Sequence, residues 1–169
     1  MKKIRIILLL FFCLLLVACD NDDYNEENKK RFSEISFDVP DVFEEDKDYI
    51  YLREYYYRDD DVYCYISFHV SDKTAYTDDK ETWFKKQIRH SLNDKVSELE
   101  EVDIYDNKAY KVTIQSGKDV DYYYGFESTN HYYLLDYQIT DYNEETNENI
   151  RTNPCYKYMD EIVYSVKLK

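Results

Sequence analysis

The side chains best suited to chemistry in this chain are three histidines, four cysteines and a large excess of carboxylates. Nucleophilic, metal-bound and acid–base reactions are therefore the ones to weigh. His69, His90 and His131 stand far apart, outside any zinc-ligand or Ser-His-Asp spacing. Cys64 would act as a nucleophile only beside a base, yet strand alternation turns it into the core and away from His69. With 36 acidic residues, carboxylate pairs of the kind used in glycoside hydrolysis arise by chance. Asp59-Asp60-Asp61 accordingly reads as a solvated charge run and not as a calcium loop. The basic cluster from Lys85 to His90 reads the same way, as the outer side of a helix. Only 2 glycines and 2 prolines occur, which leaves no place for phosphate loops, a nucleophile elbow or a dinucleotide fingerprint. The sequence predicts no catalytic residues, no metal site and no cofactor.

Cys19 has a different setting. Lys2, Lys3 and Arg5 precede an unbroken apolar run from Ile6 to Val17, too short for the roughly 20 residues of a spanning helix and shaped like a secretory signal. Immediately after it, Leu16-Val17-Ala18-Cys19 resembles the lipobox of bacterial lipoproteins. The resemblance implies that the Cys19 thiol receives a diacylglyceryl group, that residues 1–18 are removed, and that acyl chains such as palmitate hold the protein at the cell membrane on its extracytoplasmic side. An ordinary cleaved signal with a chance cysteine is the alternative. Removing Lys2, Lys3 and Arg5 from 22 basic residues against 36 acidic ones takes the formal charge from −14 to about −17. Such a surface repels anionic headgroups and nucleic acid, so membrane contact is expected through the lipid, two acyl chains being enough. Residues 19–33 include "DNDDYNEENKKR", have little to bury and read as a disordered acidic tether. Residues 34–169 read as one domain.

Tyrosine, at 21 residues, lies mostly in short alternating runs, as befits a good strand former. Ile35, Phe37 and Val39 share a strand face that Pro40 ends. "YIYLREYYY" and "VYCYISFHV" pair as a hairpin around Arg58 to Asp61. In the second strand Val62, Cys64, Ile66, Phe68 and Val70 point to the core, and Tyr63, Tyr65, Ser67 and His69 point away. Asp78-Asp79-Lys80-Glu81 starts a helix carrying Trp83, Phe84, Ile88 and Leu92. Two more hairpins are expected to turn at Asp106-Asn107 and near Ser128 to Asn130, with His69 and His131 as surface residues. Asn153-Pro154 opens a final helix carrying Tyr156, Met159, Ile162 and Val163, and "YSVKLK" returns to the sheet edge.

The layout is α+β, an antiparallel sheet of about six to seven strands with flanking helices. It resembles the PsbP/Mog1-like fold through Val39-Pro40-Asp41-Val42-Phe43 and through Glu161-Ile162-Val163-Tyr164-Ser165-Val166-Lys167. That family's glycine after the proline is absent, so the first turn must differ. The resemblance implies a docking or accessory module without a shared catalytic centre. The expected function is a lipid-anchored extracytoplasmic interaction or ligand-binding module of the bacterial envelope. The alternatives are an envelope hydrolase acting on glycan or wall polymer, and a structural surface lipoprotein without a specific ligand. If both helices cover the Cys64 face, then Tyr63, Tyr65 and His69, continued by Tyr132, form a face for an envelope protein partner. Cys64 and Cys155 both fall on core faces, where a disulfide and two buried thiols are equally compatible with the pattern.

Overall fold

Side-chain alternation builds most of this chain. The computed structural model describes residues 31–46, 52–142 and 152–169. The signal segment 1–18, Cys19 and most of the tether lie outside the described residues. Strand β4 is Val62–Asp72, and it buries Val62, Cys64, Ile66 and Phe68 on one face. It pairs with β3 (Leu52–Arg58) through a turn closed by Asp59, whose Oδ1 accepts from the amides of Asp61 at 2.9 Å and Val62 at 2.8 Å. Strands β6 (Glu100–Ile104), β7 (Asn107–Ser116), β8 (Asp119–Glu127) and β9 (His131–Asp141) follow as consecutive antiparallel pairs. One edge is β2 (Glu44–Asp46), the other is shared by β5 (Lys95–Val96) and β6, and the spatial order is β2-β3-β4-β9-β8-β7-β5 with β6 also on β7. The sheet thus has 8 strands, more than the sequence led us to expect, because edges of two or three residues show no alternation to read.

Two expected strands lie elsewhere. Strands β1 (Ile35–Ser36) and β10 (Lys167–Leu168) pair only with each other, in a separate two-stranded ribbon. Phe37 has left the strand and stacks on Phe68 with ring centroids 3.6 Å apart, so packing still uses the apolar residues of that stretch. The packed domain also begins before residue 34, because Phe32 is buried and Tyr133 donates a 2.8 Å hydrogen bond to the Arg31 carbonyl. The β6–β7 turn comes one residue early, with Tyr105 at φ 55°. Asn107 belongs to β7 and its side chain donates to the Val166 carbonyl at 3.3 Å.

The two described helices lie on opposite faces of the sheet, where the sequence suggested a shared one. Helix α2 (Pro154–Ser165) is capped by Asn153, whose side chain accepts from the Cys155 amide at 2.9 Å, with proline opening the first turn. It buries Cys155, Met159, Ile162 and Val163 against the Cys64 face. Tyr137 reaches up from β9 to donate to the Cys155 carbonyl at 2.7 Å.

Helix α1 (Lys80–Gln87) is capped by Asp79, which accepts from the Thr82 amide at 2.8 Å. It sets Trp83 and Phe84 on Val112, Ile114, Tyr132 and Leu134, all of the other face. The helix stops before Ile88, and Leu92, expected on its apolar stripe, is fully exposed. Its contact depends on Gly125: a Cβ there would run into the Phe84 ring, two of whose carbons stand at 3.0 Å. Gly125→Ala is expected to cost about 1–3 kcal/mol by overpacking, read as a lower denaturation midpoint. An unchanged midpoint would show that α1 shifts freely.

Candidate functional site

Helix α1 covers only part of its sheet face. Over β3, β4 and the neighbouring ends of β8 and β9, no helix lies on that face among the described residues. Register fixes which side chains meet there. Ser67 stands opposite both Glu54 and Asp136, Tyr65 opposite Gln138, Tyr123 opposite Asp136, and Asp121 opposite Gln138. Tyr63 and His69 belong to the same face. Glu54, Ser67 and Tyr123 are buried, whereas Tyr63, Tyr65, His69, Asp121, Asp136 and Gln138 are half-buried.

Hydrogen bonding across this patch is uneven. On its β3–β4 side, the Tyr65 hydroxyl donates to the Glu54 carboxylate, and Ser67 Oγ shares a 3.1 Å hydrogen bond with His69 Nε2. On its β8–β9 side, Asp136 Oδ1 is buried without a partner. The Asp121 carboxyl and the Tyr123 hydroxyl likewise have no side-chain hydrogen bond among the described residues. Burial, and secondarily the Asp121 charge, pushes Asp136 up to about 7. Burial, followed by Asp119 and Asp94, raises Asp121 to about 6. Burial also raises the Tyr65 and Tyr123 hydroxyls and lowers His69, the Glu54 charge opposing the last of these. Both carboxyls therefore hold their protons to a higher pH than an ordinary aspartate, Asp136 the more strongly.

Family models and curated proteins yield no match to the chain. Solved structures do match it. A crystal structure from Bacteroides thetaiotaomicron VPI-5482 superposes with a TM-score of 0.52 at 10% identity, covering 81% of this chain. This chain spans 46% of that protein's length. LpqN of Mycobacterium tuberculosis, described as involved in cell envelope biogenesis, gives a TM-score of 0.48 at 10% identity over 80% of this chain and 83% of its own. The likeness to the Bacteroides structure is one of fold.

Other residues singled out by sequence take definite places. Tyr132 is not on an accessible face: it lies under α1, stacked on Trp83 at 4.9 Å, with its hydroxyl donating to the Asp78 carbonyl at 3.1 Å. His131 is buried and not a surface residue; its Nε2 lies 3.0 Å from Asp72 and its Nδ1 3.3 Å from Glu34. Glu34, held down at about 2 first by the Ser128 hydroxyl and then by Asn130, ties the start of the described domain to the β8–β9 turn. Asp59 serves its turn, and Lys85 and Lys86 pair with Glu81 at 2.5 Å and Asp78 at 2.7 Å. Cys64 and Cys155 are joined as a disulfide with Cα atoms 5.8 Å apart.

Among the described residues, no helix is long and apolar enough to cross a membrane. Asp136, Asp121, Tyr123 and Glu54 escaped sequence reading. A lone acid inside "HYYLLDYQIT" was the available sign, since a charge amid a buried strand needs a reason.

Proposed function

We propose that this chain is a bacterial envelope lipoprotein, acylated at Cys19, whose domain has the PsbP/Mog1-like fold and binds a ligand or partner outside the cytoplasm. Its contact face is the part of the sheet that carries Tyr63, Tyr65, His69, Asp121 and Asp136. The observation behind this reading is Asp136 Oδ1, buried at mid-sheet with no partner among the described residues, beside Asp121 and Tyr123, whose side chains have no hydrogen bond among them either. A buried polar atom left without a partner costs about 1–3 kcal/mol, so Asp136 Oδ1 is out of place on a sheet face that serves packing alone. Half-buried tyrosines beside them add rigid surface with little rotamer entropy to lose. The anchor follows from the lipobox.

A second reading, an envelope hydrolase, has one observation in its favour: Asp121 and Asp136, on adjacent strands, have raised pKa values, as a general acid requires. The Ser67–His69 pair does not add a triad, since no carboxylate hydrogen-bonds to His69 among the described residues.

The test of the binding reading is in-cell photocrosslinking. A photoreactive residue replacing Tyr63 should give a membrane-fraction adduct, one replacing the exposed Tyr105 should not, and Cys19→Ala should release the protein from the membrane and abolish the adduct. Equal labelling from both positions removes the face; a Cys19→Ala chain that still sediments with membranes removes the anchor.

A further inference from the structure

The geometry points to an organic cation, an ammonium or guanidinium group, as what the Asp121–Tyr123–Asp136 patch receives. This rests on the binding role proposed above and specifies its ligand. The patch is more than a group of acids. Tyr123 is over nine-tenths buried, at 8% exposure, and its hydroxyl, with no hydrogen bond among the described residues, lies within electrostatic reach of Asp136, Asp121 and Asp94. Asp136 Oδ1, beside it, is a buried acceptor without a donor among the described residues. What the site lacks is a donor, and preferably a charged one.

The described surroundings do not supply it. Across the patch β3 brings Glu54 and, at the rim, exposed Arg58; β4 brings Tyr63, Tyr65 and His69; β8 adds Asp119, and Asp94 approaches from the loop after α1. Burial lowers the His69 pKa, which favours the neutral ring. Lysines 85 and 86 of α1 are occupied by Glu81 and Asp78. An arriving ammonium or guanidinium would donate to Asp136 and Asp121 and meet the tyrosine rings, which attract cations through their faces. A metal ion is a poorer occupant, because among the described residues no three His, Cys, Asp or Glu side chains are grouped to hold one. A neutral sugar would match the carboxylates and rings but leave the negative charge uncompensated.

The charge state makes the proposal measurable. A cation binds best to carboxylates, and Asp136 and Asp121 titrate at about 7 and about 6, so binding at neutral pH must drive off protons. The full chain in detergent micelles is titrated calorimetrically with N-acetyl-lysine amide, N-acetyl-arginine amide and, as the neutral probe, methyl N-acetylglucosaminide. At least one cationic probe is expected to bind roughly tenfold or more tightly at pH 8 than at pH 5, with proton release that varies the heat between buffers. Asp136→Asn and Asp121→Asn, checked for folding by circular dichroism, should each weaken it on the order of tenfold. Asp160→Asn, on α2 and the other face, should not. Cation binding unaffected by either patch variant overturns the proposal, as does an absence of binding by both cationic probes. Binding of the neutral probe alone, lost in Asp136→Asn, also overturns the cation while leaving the face as a ligand site.

Discussion

Without the Cys64–Cys155 bridge the domain should melt roughly 10 °C lower, a loss of about 4 kcal/mol. The two residues are 91 positions apart, so the link closes a long loop in the unfolded state, from β4 to the start of α2, where the chain would otherwise gain much freedom. Their Cα atoms, 5.8 Å apart, sit at an ordinary separation for the bond. Both side chains are fully buried between β4 and α2, so alanine at both sites removes the tie and little packing volume. The measurements are the melting temperature of the double variant Cys64→Ala/Cys155→Ala and the mass of denatured, unreduced protein after alkylation. Equal melting temperatures, or alkylation of both thiols, would show the pair to be free.

Asp136→Asn is expected to stabilise the protein at pH 8, on the order of 2–4 kcal/mol, and to have far less effect at pH 4. The sign follows from its folded-state pKa, about 7, above the ordinary carboxyl value. Between pH 4 and 7 the folded state then binds more protons at this site than the unfolded state does, so stability falls as pH rises through that window. Asparagine abolishes the ionisation and with it that share of the fall. Asp121, at about 6, should leave a residual slope below pH 6 in the variant. Glu34 works in the opposite sense: its pKa is lowered to about 2, so its contribution is present above the ordinary glutamate pKa and fades as pH falls toward 2. Denaturant melts of both proteins from pH 4 to 8 decide the matter, and parallel curves would mean that Asp136 is well solvated.

Much of the fold is legible where the chain alternates cleanly. Residues 62 to 68 announce which face is buried, Asp79 and Asn153-Pro154 announce both helix starts, and the Asp59 turn follows from its acids. What stayed hidden was the side taken by α1. In β9, His131, Tyr132, Tyr133, Leu134 and Leu135 are buried in succession, so both faces are apolar at that end and alternation carries no information about which one a helix covers. Gly125, the gap into which Phe84 fits, was the clue, and it has meaning only once the partner ring is placed. At the candidate site the tyrosines of β4 were visible because they alternate with core residues. Asp121 and Asp136 were not, because their importance arises from standing on neighbouring strands and from the burial that changes their acidity. The pairing of β1 with β10 spans too few residues to leave a pattern.

The sheet's two flanks have a consequence for crowding. A wide antiparallel sheet ordinarily ends in rows of vacant amides and carbonyls that invite a neighbouring copy to continue the ladder. Here one flank is Glu44-Glu45-Asp46, and the other is shared by Lys95-Val96 and the five residues of β6, Glu100-Glu101-Val102-Asp103-Ile104. The first flank meets its own like charge on any identical molecule, and the second sets Glu100, Glu101 and Asp103 of β6 along its longer strand, so like charge opposes pairing there as well. Joining of identical copies through either sheet edge is therefore opposed by charge carried on the edge strands themselves.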